Sequence, residues 1–150
     1  MAKFRLERVL PYEVAQLYDM VGDVERYPDF VPWITRLTAY NRKSSGEINQ
    51  FDADVHIGFK LLSEKFSTRV VRDARTRTVT MALIRGPFRK LDGRWTFVAE
   101  GTGSRAILDI DVEIRNPILD AIFRANYDKA ADKLMALFEQ RAGQLYAGKH

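Results

Sequence analysis

The last thirty or so residues constrain the fold most, because one apolar stripe runs through them at helical spacing. Asn116 is a good helix cap, and Pro117 suits the first helical position, where its missing N–H costs nothing. The stripe predicts a helix from about Pro117 to about Leu145, and its members are Leu119, Ile122, Phe123, Ala130, Leu134, Leu137, Phe138 and Leu145. Such a helix is about 40 Å long at ~1.5 Å per residue. A single small domain is narrower than that, so the helix must lie across another layer.

That layer is predicted by the alternation of apolar and polar residues between Trp33 and Arg115. The clearest strands are Phe51–Phe59 and Ala106–Ile114, each with one apolar and one polar face, as in an antiparallel sheet. Phe4–Leu10 alternates too, and about six strands follow it. The order of elements predicts an α+β fold in which a curved antiparallel sheet of about seven strands wraps around the final helix.

Composition bounds the class of protein. The 150 residues show no repeat and no linker, so residues 1–150 are predicted to be one domain. With no cysteine, disulfides and thiol chemistry are excluded. Because no apolar run reaches the ~20 residues of a membrane span and the N-terminus lacks a secretory core, we expect a cytoplasmic location. The net charge of +4 favours loose attraction to a membrane surface or RNA, but the basic residues are spread along the chain.

The titratable residues form no catalytic constellation. His56 alternates with Val55 and Ile57, which places it on the polar face of its strand, and His150 is terminal. Neither has neighbours at metal-ligand spacing, so no metal is expected. Carboxylates two residues apart can act as an acid–base pair in glycoside hydrolysis, but a solvated sheet face produces the same spacing. The carboxylates so placed are Asp52, Asp54, Asp109, Asp111 and Glu113.

The side chains of one helix cannot easily fill the space inside a concave sheet, because only a narrow apolar stripe of the helix faces the sheet. Space left over would suit an apolar ligand, although the alanines of the helix are equally explained by helix propensity. Asn126 falls in line with Ile122 and Ala130 on the predicted inward stripe. A buried amide needs a hydrogen-bond partner, which could be protein, water or a ligand carbonyl.

Several separated segments carry a family resemblance. They are Gly22–Trp33, Glu64–Val70, Gly86–Phe97, Ala130–Leu134 and Phe138–Ala142. In this order they resemble the coenzyme Q-binding START-like proteins. That branch of the polyketide cyclase/lipid-transfer superfamily also includes a bacterial ribosome-association toxin. The resemblance implies a helix-grip fold, a hydrophobic tunnel between sheet and helix, and ubiquinone as bound ligand, with no catalytic residue to carry over.

The tunnel implied by this resemblance has candidate lining residues, which are Trp33, Phe59, Phe66, Phe88, Trp95, Phe97, Ile122, Phe123, Asn126, Ala130, Leu134 and Leu137. Donors for the quinone carbonyls could come from Asn126, Tyr127, Arg124 or Lys133 if they face inward. The segment Tyr27–Trp33 offers aromatics between prolines, and these are expected to be exposed. It is either a lid over the tunnel mouth that touches the membrane or a structural corner.

Three functions are compatible with the sequence. The first is non-enzymatic binding of ubiquinone or a similar polyprenyl lipid, supporting its delivery for respiration or biosynthesis, with peripheral contact at the inner face of the membrane. The second, prompted by the sister branch and the basic charge, is binding to the ribosome. The third is a cyclase-type enzyme acting on an aromatic substrate, which needs an acid or base inside the cavity. His56 would have to point inward for that role.

Overall fold

A computed structural model of the protein describes residues 2–59 and 62–147. The strands in these ranges are β1 (Ala2–Leu10), β2 (Ile34–Ser45), β3 (Ile48–Phe59), β4 (Leu62–Asp73), β5 (Thr78–Arg85), β6 (Phe88–Glu100) and β7 (Gly103–Ile114). The helices are α1 (Val14–Gly22), α2 (Tyr27–Phe30), α3 (Pro117–Ala125) and α4 (Tyr127–Tyr146), with a 3-10 turn at Val24–Arg26.

Within the described residues the seven strands form one sheet in the order β1-β7-β6-β5-β4-β3-β2, and every neighbouring pair is antiparallel. This confirms the predicted α+β architecture. Register shifts interrupt the β2–β3, β4–β5 and β6–β7 ladders. At such bulges a strand bends and its twist increases, so the sheet curves and its inner face is concave.

The inner face packs around Phe138 of α4, which is only 4% exposed. Its ring meets Tyr27 and Phe30 of α2 at centroid distances of 5.3 and 5.2 Å, both edge to face. Trp95 of β6 approaches it from the sheet side at 5.1 Å. Edge-to-face contacts stabilise aromatic pairs by more than the burial of their surface alone. Phe138 therefore joins α2, α4 and the sheet into one core.

The predicted C-terminal helix is present but is broken at Asn126. As predicted, Asn116 caps the start: its side-chain oxygen accepts from the N–H groups of Ile118 and Leu119. Asn126 then leaves helical geometry, with φ −112° and ψ 11°. Its side-chain amide donates to the carbonyl of Ile122 at 2.8 Å. Asparagine competes with the helical backbone in this way, which accounts for two helices instead of one.

The predicted inward stripe of the helix was wrong at Ile122, Asn126 and Ala130, whereas Leu119 and Phe123, also predicted to face inward, are half-buried. Ile122, Asn126 and Ala130 are exposed. The face turned toward the sheet carries Phe123 and Tyr127, which are half-buried, and continues through the buried residues Ala131, Met135, Phe138 and Ala142. Adjacent residues of a helix lie about 100° apart around its axis. When Phe123 and Tyr127 pack toward Phe4, Ile122 and Asn126 therefore point to solvent.

Candidate ligand-binding face

The concave face of the sheet divides into two parts. We call the part around Phe138 the closed half; it includes the buried residues Val79, Trp95, Phe97 and Leu108. The open half lies toward α3 and consists of Phe66, Leu83, Phe88, Leu91 and Ile114, all of them half-buried. The register places these five on the inner face through the pairs Val55↔Phe66, Thr68↔Leu83, Leu91↔Val112 and Phe88↔Ile114. No residue of α3 is buried, so this helix leaves the open half incompletely covered.

An aromatic corner forms one edge of the open half. The rings of Phe66 and Phe88 meet edge to face, with centroids 5.3 Å apart and planes at 88°. Gly86 precedes this corner with φ +154°, and a Cβ there would lie 2.5 Å from the Cβ of Phe66. Only glycine fits such an approach in that conformation. The glycine therefore sets how closely the β5–β6 connection can pack against β4.

The helix side of the open half is also aromatic. Tyr127, at the start of α4, stacks on Phe4 of β1 with centroids 3.4 Å apart and planes at 16°. Phe123 of α3 meets Phe4 edge to face at 6.0 Å. Burial, and to a smaller degree the neighbouring Asp128, raises the pKa of the Tyr127 hydroxyl. That hydroxyl stays protonated at neutral pH and is available as a hydrogen-bond donor.

Of the four polar groups considered as ligand anchors, Tyr127 alone is half-buried. Asn126 is exposed and bonded to its own helix. Arg124 is exposed, with its Nε 3.0 Å from a carboxylate oxygen of Asp120. Lys133 is exposed on α4. The expectation that Asn126 faces inward was therefore wrong, and Tyr127 replaces it as the polar group beside the open half.

The other candidate lining residues are scattered. Phe66 and Phe88 lie in the open half, whereas Trp95 and Phe97 are buried in the closed half. Trp33, Leu134 and Leu137 are half-buried and pack against the core. The side chain of Phe59 and the terminal His150 lie outside the described part of the chain.

Sequence reasoning missed several inner-face residues. Leu83, Leu91 and Ile114 belong to the open half. Glu64 and Thr68 also point inward, since they pair with Ile57 and Ala53 of β3. Two-residue spacing from Phe66 was the signal that could have placed Glu64 and Thr68, because residues two apart on a strand share a face.

The outer face of β3 carries the polar residues expected there. His56 shares it with Asp52 and Asp54, so it does not point into the concave face. Asp52, predicted to be solvated, is only 6% exposed. Its carboxylate accepts from Arg69 and Asn41, each at 3.0 Å. These hydrogen bonds, first that from Arg69, hold the pKa of Asp52 below its ordinary value.

The segment from Tyr27 to Trp33 is a packed corner. Tyr27 is buried, its hydroxyl donates to the carbonyl of Val21, and Val31 is fully buried. Burial raises the pKa of the Tyr27 hydroxyl strongly. The expectation of exposed aromatics in this segment was wrong for Tyr27, and these contacts favour the corner over the lid.

Two open clefts lie on the described surface, and neither is lined by any of the five residues of the open half. One, of about 380 Å³, is bordered by Tyr18, Asp19, Asp23, Asn49, Arg72 and Ala74. The other, of about 440 Å³, is bordered by Lys3, Phe4, Arg5, Asp92, Gly93, Arg94, Asp109, Ile110 and Asp111. Across residues 2–59 and 62–147, no group of three or more His, Asp or Glu side chains is arranged to hold a metal ion. None of the described helices is both long and apolar enough to cross a membrane.

Comparison with known proteins identifies the family of this chain. Residues 10–139 match the family described as polyketide cyclase / dehydrase and lipid transport. The chain belongs to this family. Among solved structures, this chain is similar to the solution structure of an 18 kDa protein from Caulobacter crescentus. It is 43% identical to this chain, with a TM-score of 0.84, and the match covers 97% of this chain and 98% of that one.

Two relatives of this polyketide cyclase and lipid-transport chain bear functional names. The ribosome association toxin RatA of Pseudomonas aeruginosa is 34% identical over 139 residues, covering 92% of this chain and 93% of its own. The mitochondrial coenzyme Q-binding protein coq10 of Schizosaccharomyces pombe is 28% identical over 143 residues, covering 93% and 85%. Both branches that the sequence resembles are thus among its relatives.

Proposed function

We propose that this protein binds ubiquinone or a similar polyprenyl lipid on the open half of its concave face and supports quinone delivery for respiration or biosynthesis. One observation carries the proposal. Phe66, Leu83, Phe88, Leu91 and Ile114 turn apolar side chains to the inside of the sheet, beneath a helix that buries none of its own residues. A chain with no ligand to hold would gain stability by covering that surface.

The chemistry of a prenylated quinone matches the open half. Its tail gains about 0.8 kcal/mol for each CH₂ taken out of water, and the inner wall is aliphatic and aromatic. Its head group carries carbonyl oxygens, which accept hydrogen bonds. The protonated hydroxyl of Tyr127, beside Phe4 and Phe123, supplies a donor at the helix side. A pure hydrocarbon would leave that donor without a ligand partner and would bind less well.

Ligand binding without chemical conversion is part of the proposal. His56 lies on the outer face of β3, away from the proposed ligand. Glu64 is the carboxylate that the register places on the inner face, opposite Ile57. Since a cyclase-type reaction needs an acid or base at the ligand, Glu64→Gln is the variant that would expose such an activity: turnover of an aromatic substrate that disappears in this variant would contradict a pure binding role.

Association with the ribosome is the second candidate. It is favoured by the relative named ribosome association toxin, which is 34% identical, and by the net charge of +4. Sedimentation with purified ribosomal subunits tests it directly. Co-migration that weakens as salt is raised would support this function, because contacts to RNA phosphates release counterions. Absence of co-migration at low salt would eliminate it.

The carrier proposal is tested by extracting the purified protein with organic solvent and analysing the extract by mass spectrometry. Leu91→Glu places a negative charge in the open half, while Val98→Glu places the same charge on the outer face of the same strand. After expression in quinone-rich cells, the wild type and Val98→Glu should yield a prenyl quinone and Leu91→Glu should not. A retained thermal transition confirms that each variant folds. Wild-type protein free of prenyl lipid, or equal recovery from Leu91→Glu, would refute the proposal.

A further inference from the structure

A cleft at the end of α1 brings polar groups of both charges together. We call it the α1 cleft; its volume is about 380 Å³, and it is bordered by Tyr18, Asp19, Asp23, Asn49, Arg72 and Ala74. That volume is sufficient for a small organic molecule. On β4, Arg72 lies six residues beyond Phe66, roughly 20 Å at the rise of an extended strand. The α1 cleft is therefore separate from the open half.

The helix side of the α1 cleft is negative. Asp19 and Asp23 lie four residues apart at the C-terminal end of α1, and both are exposed. Carboxylates are disfavoured there, because the last carbonyls of a helix already place partial negative charge at that end. Neither aspartate forms an ion pair with any residue of 2–59 and 62–147. The two carboxylates thus repel the helix end, and a cation bound beside them would offset that repulsion.

The sheet side of the α1 cleft carries Arg72, whose guanidinium is only partly hydrogen-bonded. Gly22 makes room for this side chain, since a Cβ at Gly22 would lie 2.7 Å from the Cδ of Arg72. The guanidinium lies 5.3 Å from the ring centroid of Phe51, and its Nη1 donates to the carbonyl of Gly22 at 3.2 Å. Its Nε is buried without a hydrogen-bond partner among the described residues, and no carboxylate among them pairs with Arg72. The guanidinium is therefore held in place with donors left for an anionic group.

Two neutral donors border the same cleft. Tyr18 is only 7% exposed, yet its hydroxyl makes no hydrogen bond within the part of the chain that the structure describes. Burial raises the pKa of this hydroxyl, so it is protonated at neutral pH. The side-chain oxygen of Asn49 accepts from Ser44 at 2.7 Å, which leaves its NH₂ group as a donor. Because buried polar groups are normally hydrogen-bonded, the Tyr18 hydroxyl points to a partner that enters the cleft from solution.

We propose that the α1 cleft binds a small zwitterion, with its ammonium group at the carboxylates of α1 and its carboxylate or phosphate at Arg72 and Tyr18. Arginine binds both kinds of anion through charge-assisted hydrogen bonds. A simple anion would be repelled by two carboxylates, and a simple cation would be repelled by Arg72. Since these groups border one cleft without pairing with each other, a molecule that carries both charges satisfies both sides. This inference goes beyond the proposed function, because it requires no quinone and uses none of the five residues of the open half.

The test is an amide NMR titration of the full chain with γ-aminobutyrate and with phosphoethanolamine, beside butyrate as an anion that lacks the ammonium group. Asp19→Asn/Asp23→Asn removes both negative charges with almost no change in side-chain size. Asp128→Asn/Asp132→Asn is the matched control, since these aspartates are also exposed and lie four residues apart on a helix. Tyr18→Phe removes one hydroxyl and keeps the ring on which the Arg77 guanidinium packs.

The wild type and the control should bind at least one of the two zwitterions, with amide shifts around Tyr18, Asn49 and Arg72, and should bind butyrate at least about tenfold more weakly. Asp19→Asn/Asp23→Asn should bind that zwitterion at least about tenfold more weakly, yet bind butyrate no more weakly than the wild type does. Tyr18→Phe should lose about threefold or more in affinity for the zwitterion.

The zwitterion that binds more tightly identifies the anionic group, carboxylate or phosphate, for which the cleft is built. No shifts with either zwitterion, equal affinity of the wild type for butyrate, or equal losses in the two double variants would overturn the proposal. Quinone-induced shifts around Leu83 and Leu91 test the proposed function separately, so either proposal can fail while the other holds.

Discussion

Replacing Phe138 and Phe88 separately by alanine distinguishes the two halves of the concave face. Phe138 is 4% exposed and contacts three aromatic rings. Its removal leaves a cavity in the closed half and should cost about 3–5 kcal/mol of unfolding free energy. For a chain of this size that corresponds to a fall in Tm of about 6–20 °C. Phe88 is half-buried with one ring partner, Phe66, so its removal should cost only about 1–2 kcal/mol.

Ligand affinity should follow the opposite order. Phe88 belongs to the surface proposed to hold the quinone, and losing its contact should weaken binding by roughly five- to thirtyfold. Folded Phe138→Ala protein should bind nearly as well as the wild type. Urea denaturation gives the stabilities, and titration with a short-tailed ubiquinone gives the affinities. Equal losses of affinity in both variants, or a larger loss in Phe138→Ala, would refute the division into a structural and a ligand-binding half.

Three other perturbations follow from single contacts. Gly86→Ala should destabilise the fold by about 1–3 kcal/mol, because the backbone conformation and the approach to Phe66 both exclude a Cβ; an unchanged urea midpoint would contradict this. Asp52→Asn should remove a pH-dependent part of the stability: since the folded pKa of Asp52 is lowered, chiefly by Arg69, the wild type is stabilised above the unfolded pKa and loses this advantage as pH falls through the folded one. Unfolding curves measured from neutral to acid pH should converge for the two proteins. Tyr127→Phe should keep its stack and its Tm yet bind quinone about three- to tenfold more weakly if the hydroxyl donates to the ligand; unchanged affinity would remove Tyr127 from the site.

Local patterns were enough to predict the architecture. Alternation in Phe51–Phe59 and Ala106–Ile114 depends on the pleat of a single strand, and both segments form strands with the expected faces. The cap at Asn116 is likewise a matter of a few neighbouring residues. These features could be predicted because each depends only on residues within its own strand or helix.

The orientation of α3 could not be predicted in the same way. Ile122 and Phe123 are adjacent and both apolar, so either could begin the inward face. The choice depends on Phe4, which lies more than a hundred residues earlier in the chain and stacks on Tyr127. Asn126 is exposed because it shares the solvent face of the helix with Ile122, and its side chain also helps to break the helix.

The lining of the candidate site was predicted only in part for a related reason. Phe66 and Phe88 stood out as aromatic groups, and both lie in the open half. Leu83, Leu91 and Ile114 are ordinary strand residues by pattern. Their grouping follows from the pairing of four different strands, and from a helix that does not cover them.

The most direct measurement of the central claim is an amide NMR titration of the 17.3 kDa protein with a short-tailed ubiquinone. If the open half holds the quinone, the perturbed amides should cluster there, around Leu83, Leu91 and Ile114, and at Tyr127. Amides near Trp95 and Phe97 in the closed half should change little. Perturbations confined to the closed half or to the outer face, or none at saturating quinone, would contradict quinone binding at the open half.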